Sequence, residues 1–486
     1  MPKKSVTKNY IYNLTYQVLI LILPLITTPY VSRVLGAENI GIYSYTISIV
    51  TYFILFGSLG ISIYGQREIA YIRDSKKETS KVFWEIVIFR FITMSISSIL
   101  FYFGFVQSNE YSMYYKILLL ELLANCLDIS WFFQGQEEFK KAVMRNTIIK
   151  LVSILLIFVF IKGKEDLVLY FVIYVLSNLS GNLSLWIYLP KYLEKIKIKE
   201  IKIFRHFKPT LSLFIPQIAI QVYTLLDKVM LGSMILNKAE VGYYDQSQKI
   251  IRMLLTIVTS LGTVMLPRMA NTFMKGDNKK IKEYMKKSFR FAFGISIPMI
   301  IGIIMVADAF VPIFFGEGYA KVAILMKTIS PILLFIGLSN VIGTQYLLPT
   351  KRQKAYTTSV VCGAMLNFTI NMLLIKQLGA LGASIGTIIA EITVAGIQIF
   401  CIRKEFNLKE IVICSKHYVI SGIMMFGLLY IIGKLPIDNE PVIMIAQIII
   451  GIVIYGTVLI LQKDEIVMEL LEKVKYHFTK SKTMDR

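Results

Sequence analysis

Apolar runs of about twenty residues, the length that crosses a hydrocarbon core, recur along this chain from one end to the other. They fall at roughly 10–31, 40–65, 82–106, 114–134, 142–161, 167–189, 209–235, 241–267, 288–307, 322–348, 356–376, 380–402, 415–433 and 441–461, and each reads as a membrane helix. The loops between them alternate in charge. Lysine and arginine crowd the segments Arg73 to Lys81, Lys140 to Arg145, Lys191 to Lys208, Lys275 to Lys287, Lys351 to Lys354 and Arg403 to Lys409, and the tail. The intervening loops carry few cations, such as Arg33, Lys162, Lys238 and Lys321. Cytoplasmic loops are the ones that concentrate Lys and Arg, so both termini are expected in the cytoplasm. The fold class expected is an all-α polytopic membrane protein with about fourteen transmembrane helices.

The pattern also repeats. IGIYSYTISIVTYFILFGSLGISIYGQR, from Ile40 to Arg67, aligns without a gap on VGYYDQSQKIIRMLLTIVTSLGTVMLPR, from Val241 to Arg268, pairing Gly41 with Gly242, Tyr43 with Tyr244 and Arg67 with Arg268. In the next apolar run of each half, Phe89-Arg90-Phe91 answers Phe289-Arg290-Phe291. Landmarks repeated in the same order indicate a duplicated unit. An even number of spans separates the copies, so the repeat is parallel, with its pseudo-twofold axis along the membrane normal. This divides the chain into a first lobe at 1–190, a basic linker at 191–208, a second lobe at 209–402, two further spans within 403–462 and an amphipathic cytoplasmic tail at 463–486. The linker alternates lysine with isoleucine, which suits either an amphipathic connector lying on anionic headgroups or a plain solvated linker.

Polar side chains inside spans are costly and therefore mark functional positions. In the eighth span Asp245, Lys249, Arg252, Thr256, Ser260 and Thr263 follow helical spacing and form one hydrophilic stripe. Asn13 and Gln17 in the first span, and Gln217, Gln221 and Lys228 in the seventh, give the first helix of each half a polar face. Glu121, Asn125 and Asp128 share a face of the fourth span; Asn146, Lys150 and Ser153 share one of the fifth. Asn367 and Asn371 pair in the eleventh span, and Glu391 is an acidic position near the middle of the twelfth. Arg90 and Arg290 lie within spans, Arg90 roughly 12 Å in at helical rise, whereas Arg67 and Arg268 fall at cytoplasmic helix ends. Together these residues line a central hydrophilic cavity richer in cations than in acids. Lys249, Arg252, Lys228, Arg90 and Arg290 suit phosphate oxygens, and Asn13, Gln17, Gln217 and Gln221 suit sugar hydroxyls. Asp128, Glu121, Glu391 and Lys150 are the ion-coupling candidates, and Arg67 and Arg268 the gating positions. Each has a plainer reading beside it. Amides glue helices together, Asp128 or Glu121 neutralises Lys150, and terminal arginines snorkel to headgroups.

Composition removes other classes. The net charge of +22 would suggest nucleic acid, but on a chain that is 55% hydrophobic it is explained by lysines in cytoplasmic loops, so no nucleic acid partner is expected. Cys126, Cys362, Cys401 and Cys414 show no CxxC spacing, so neither a zinc site nor a disulfide is expected. No GxxxxGK[ST] motif occurs, which leaves ATP-driven transport without support. The outer loops are short, the longest near Asp308 to Lys321, and leave no room for an external catalytic domain; the chain is not expected to be an enzyme.

TTPYVSRVLGAENIGIYSY (27–45), YGQREIA (64–70), DISWFFQGQEEFK (128–140), YTLLDKVMLG (223–232), FGEGY (315–319), LLPTKRQKAY (347–356) and LGALGASIGTIIAE (378–391) resemble the Wzx-type polysaccharide flippases of the multidrug/oligosaccharidyl-lipid/polysaccharide (MOP) exporter superfamily. The resemblance implies two six-helix lobes in a V with two extra C-terminal helices, alternating access, and location in a bacterial plasma membrane. The substrate it implies is an undecaprenyl-diphosphate-linked oligosaccharide bound for capsule, exopolysaccharide or a related surface polymer. Partners would then be membrane lipids and the pathway's polymerase and glycosyltransferases. No cofactor is implied beyond a coupling ion, H+ or Na+. A multidrug cation antiporter of the same fold is the alternative; it would need an acid-dominated pocket.

Overall fold

The computed structural model describes residues 6–107, 110–434, 439–469 and 472; along parts of several helices it describes the backbone alone. Among these residues there is no strand. They cluster into two compact units, residues 1–242 and 243–486.

The first unit contains α1 (Val6–Ser58), α2 (Ile61–Ile72), α3 (Lys76–Phe101), α4 (Ser112–Cys126), α5 (Ser130–Gly135), α6 (Phe139–Phe160), α7 (Leu167–Trp186) and α8 (Phe207–Met234). The second contains most of α9 (Ala239–Met274), then α10 (Asn278–Phe315), α11 (Ala320–Ile329), α12 (Ile332–Ser339), α13 (Gln353–Leu378), α14 (Ala380–Ile402), α15 (Leu408–Ile432) and α16 (Glu440–Leu461). Helix α8, which the hydropathy pattern places at the start of the second half, packs on α1 and α2 and groups with the first unit. Among the described residues, twelve helical stretches are long and apolar enough to cross a membrane, against about fourteen apolar runs in the sequence. The chain is an all-α, multi-pass membrane protein.

Glycine sets where the first two spans fold. Gly36, at φ 76° and ψ 167°, interrupts α1 between the first and second apolar runs, in a conformation that a side chain would strain. A second break at Leu59 (φ 44°) and Gly60 (φ 73°) separates α1 from α2. The tenth run, read as one helix, is three pieces: α11, α12 and a π-helical segment Asn340–Leu347.

Two pairs of sequence motifs interlock. A Cβ on Gly65 would lie 2.5 Å from the Trp131 ring, and one on Gly135 would lie 2.7 Å from the Gln66 carbonyl oxygen. The YGQR and WFFQG segments therefore exist as each other's packing surface, with Trp131, Phe132 and Phe133 buried in the same apolar core as Ile69 and Phe83. The duplicated glycines also meet. A Cβ on Gly41 would fall 1.7 Å from the Lys238 carbonyl oxygen and 3.0 Å from the Gly242 nitrogen; one on Gly242 would fall 2.0 Å from the Ala37 carbonyl oxygen and 3.2 Å from the Gly41 nitrogen. Each equivalent residue contacts the other, the reciprocity that a local twofold relation requires.

In the second unit the most extensively packed helices are α13 and α14, while α10 carries α15 and α16. The start of the tail is tied to α10. Glu465 pairs with Arg290 and, at 3.6 Å, with Lys286, and Glu469 pairs with Lys287 at 2.9 Å. Asp464 starts this turn by accepting from the Ile466 amide at 3.1 Å.

Candidate functional site

In the first unit the polar residues of α4 face α7. The Glu121 carboxylate accepts from the Asn125 amide at 3.0 Å and from the Asn178 amide at 3.1 Å to each oxygen. One helical turn and then two turns further along α7, Asn182 donates to the Ala124 carbonyl at 2.7 Å and the Trp186 indole donates to the Leu127 carbonyl at 2.8 Å. Asn178, Asn182 and Trp186 thus zip one face of α7 onto the end of α4. Their spacing of four is visible in the sequence, although the apolar run around them hides it.

Asp128 precedes α5 and accepts from the Ser130 amide at 2.9 Å. Arg90 is buried and turned to this loop, donating to the Asp128 carbonyl at 3.1 Å with its other Nη 3.9 Å from the carboxylate. It therefore fixes the WFFQG loop. Arg145 donates to the Gly181 carbonyl at 2.8 Å and to Asn182 at 3.1 Å, which leaves Asn146 bonded to Arg145 rather than lining a stripe with Lys150. Lys150 and Lys228 are half-buried in the first unit. The side chains of Asn13, Gln17, Gln217 and Gln221 lie outside the described residues.

A cluster absent from the sequence reading is built around Glu85 on α3, which is fully buried. Every donor to it comes from the linker: the Lys202 amide at 2.8 Å, Arg205 Nε at 2.8 Å together with its Nη2, and His206 Nε2 at 2.9 Å. His206 Nδ1 accepts from the Tyr64 hydroxyl at 2.7 Å, an arrangement that a neutral imidazole satisfies at both nitrogens. The basic linker therefore ends in a buried tie to the first unit, just before α8. Burial holds the His206 pKa below its ordinary value, despite the Glu85 hydrogen bond, and Arg205 adds to the lowering. With the folded value below the unfolded one, this tie contributes fully above the unfolded pKa near 6.5 and is lost as pH falls through the lower folded value. Acidification from pH 7.5 to 5 is expected to expose the linker to limited proteolysis, and His206→Gln is expected to flatten that dependence. An unchanged pH profile in the variant would remove His206 from the account.

In the second unit the α9 stripe divides. Lys249 lies 3.7 Å from Asp245 and donates to Gln246 at 3.1 Å, and both members of the ion pair are half-buried. Arg252, Thr256, Ser260 and Thr263 are exposed, but the three hydroxyls bond back to carbonyls of their own helix. Lys249 and Arg252 are the cations of this stripe. Beside this stripe α9 packs inward, with Tyr244 bonded to Thr387 at 3.0 Å and to Gln248 at 2.8 Å. Asn371 donates to Asn367 at 3.2 Å, and Glu391 is buried on α14. Arg290, the counterpart of Arg90, pairs with Glu465 of the tail. Arg67 and Arg268 are exposed, and Arg67 lies over the Tyr64 ring and 3.2 Å from Glu68. Cys126, Cys362 and Cys401 are free thiols; Cys414 lies outside the residues whose side chains are described. Among the described residues no His, Cys, Asp or Glu group could hold a metal ion.

Residues 6–273 match the family model described as polysaccharide biosynthesis protein, and residues 191–450 match that of the lipid II flippase MurJ. A candidate O-antigen transporter of Escherichia coli (strain K12) is 26% identical over 408 residues, covering 83% of this chain and 98% of that protein. In fold, the chain is similar to a lipid II flippase MurJ in an inward closed conformation, with a TM-score of 0.72 at 18% identity over 94% of this chain and 100% of that one. It is also similar to an inward-facing multidrug resistance transporter of the MATE family in the MOP superfamily, with a TM-score of 0.63 at 14% identity over 86% and 97%.

Proposed function

Because the chain belongs to the polysaccharide biosynthesis protein family, and with it to the Wzx-type flippases of the MOP exporter superfamily, we propose that it moves an undecaprenyl-diphosphate-linked oligosaccharide from the inner to the outer leaflet of a bacterial plasma membrane, with both termini in the cytoplasm. The observation that carries this reading is the stripe on α9, which sets the ammonium of a half-buried Lys249 and the guanidinium of an exposed Arg252 three residues apart on one helix. Two cations on one helix face can share the charge of a diphosphate, and a cationic drug would be repelled by them. The lipid tail stays in the bilayer while the headgroup passes. Arg90, held on Asp128, is assigned here to positioning rather than to the substrate.

Transport is coupled to H+ or Na+ through a buried carboxylate. Glu121, bonded by side-chain amide donors, and Glu391, buried on α14, suit that role better than Asp128, which is bonded to the Ser130 amide and lies 3.9 Å from Arg90. In proteoliposomes, the purified protein is expected to expose a fluorescent undecaprenyl-diphosphate glycan of the inner leaflet to an external quencher, faster with an ion gradient than without. Transport of a cationic dye with no movement of the glycan lipid would favour the antiporter instead.

A further inference from the structure

Helix α14 carries a polar residue every seven positions: Ser384, Glu391, Gln398 and, in the turn that follows it, Glu405. Seven residues are close to two helical turns, so Ser384, Glu391 and Gln398 lie on one face, roughly 21 Å from first to last at helical rise, and Glu405 lies just beyond the end of the helix. Ser384, Glu391 and Gln398 are buried. Helix α14 packs on α13 and on the π-helical segment, and these elements, with the turn before α13, supply polar partners to Gln398 and Glu405. Gln398 donates to the Ser359 hydroxyl at 3.0 Å, and Ser359 donates to the Tyr356 carbonyl at 2.7 Å. Glu391 lies two helical turns from Gln398 along the same face of α14. At the far end, Arg352 donates to both oxygens of Glu405, at 2.7 and 2.8 Å, and the Tyr346 hydroxyl donates to the same carboxylate.

Between these levels, buried amide atoms lack partners. Gln398 Oε1 and Gln345 Oε1 accept no hydrogen bond, although both side chains are almost wholly buried; the Gln345 amide donates to Asn340 at 3.1 Å. Unsatisfied amide oxygens at this depth are costly unless water reaches them. The π-helical segment lies beside them, and π turns in α-helices mark functional positions. Its Gly343 is what lets the pieces converge, because a Cβ there would sit 2.8 Å from the Tyr356 ring and 3.0 Å from the Gln398 amide nitrogen.

We propose that this file, from Glu405 and Tyr346 past Gln345, Gln398, Ser359 and Tyr356, is a proton route joining Glu391 to the face that bears the Arg352 loop. A proton leaves bulk hydronium at the Glu405 end, passes along water held by the two glutamine amides, and forms the O–H bond of the Glu391 carboxyl group; release reverses the order. The titratable or charged groups along the file are Tyr356 on α13, Tyr346 in the π segment, and Glu405 with Arg352 at its mouth; Tyr244 of α9 stands beside Thr387 on the same helix. This inference rests on Glu391 being a coupling carboxylate, and it adds the path by which that group is reached.

Time-resolved infrared spectroscopy of the full chain in oriented proteoliposomes separates the two. After a pH jump on the Arg352 face, wild type is expected to gain a protonated-carboxyl band that Glu391→Gln lacks. Gln398→Met, which keeps volume and removes the amide, and Gly343→Val, which fills the convergence, are each expected to slow that band at least tenfold without reducing its final amplitude. Absence of any band removed by Glu391→Gln would overturn the coupling role of Glu391. A Glu391 band that rises at wild-type rate in Gln398→Met, or equally fast from the opposite face, would overturn the route while leaving the coupling role intact. Should Gly343→Val not fold, Gln398→Met decides the question alone.

Discussion

Replacing Gly41 by alanine is expected to remove most of the monodisperse protein from detergent extracts. The added Cβ would lie 1.7 Å from a main-chain carbonyl oxygen, and main chain cannot swing aside as the end of a long side chain can. The segments must part by more than an ångström, which opens the contact along its length and costs about 3 kcal/mol or more, at or above the upper end for overpacking. Gly242→Ala, at 2.0 Å from the Ala37 carbonyl oxygen, should fail in the same way. Gly302→Ala is the control: nothing lies within 4 Å of its Cβ, and alanine favours a helix over glycine by about 1 kcal/mol. Gel filtration of the fluorescently tagged variants reads the difference. If Gly41→Ala elutes and melts like Gly302→Ala, the close approach of the duplicated glycines does not exist in the membrane.

The second large effect falls on transport. Lys249→Gln with Arg252→Gln is expected to lower glycan-lipid flipping about a hundredfold while leaving elution and melting unchanged. Hydrogen bonds to charged groups contribute about 1.5–3 kcal/mol each, and neither side chain is buried, so the lower figure applies to each. The sum of about 3 kcal/mol corresponds to roughly two orders of magnitude. Lys249 is loosely paired, 3.7 Å from Asp245, and can exchange that carboxylate for a phosphate at small cost. Lys249→Arg with Arg252→Lys should retain most of the activity, because the charge remains and only the geometry of the donors changes. Wild-type flipping by the double glutamine variant would move the diphosphate site elsewhere.

The apolar spans and their order were readable because apolar length alone decides them. So was the duplication, since Gly41 and Gly242 stand in equivalent registers. Breaks inside the runs were not readable. A hydropathy window sums side chains and does not register the positive φ at Leu59 and Gly60 or the π turns after Ser339. The α9 stripe was visible as spacing, but spacing could not show that Thr256, Ser260 and Thr263 would bond to their own helix. Arg90 was legible as a deep cation and not as a ligand of the Asp128 loop, because the two are 38 residues apart. Glu85 passed unnoticed for the same reason. Near the start of its span it looks like one more solvated charge, and only the folded linker reveals that it is enclosed.

That enclosure bears on how the chain is made. The donors to Glu85 lie 117 to 121 residues downstream of it, so while the ribosome is still short of Lys202 the carboxylate has none of them. An enclosed carboxylate stripped of its donors is strongly unfavourable, and the nascent first unit has to wait for the linker before it can close. A split version of the protein, expressed as two complementing pieces, is therefore better cut after Met234 than in front of Lys202.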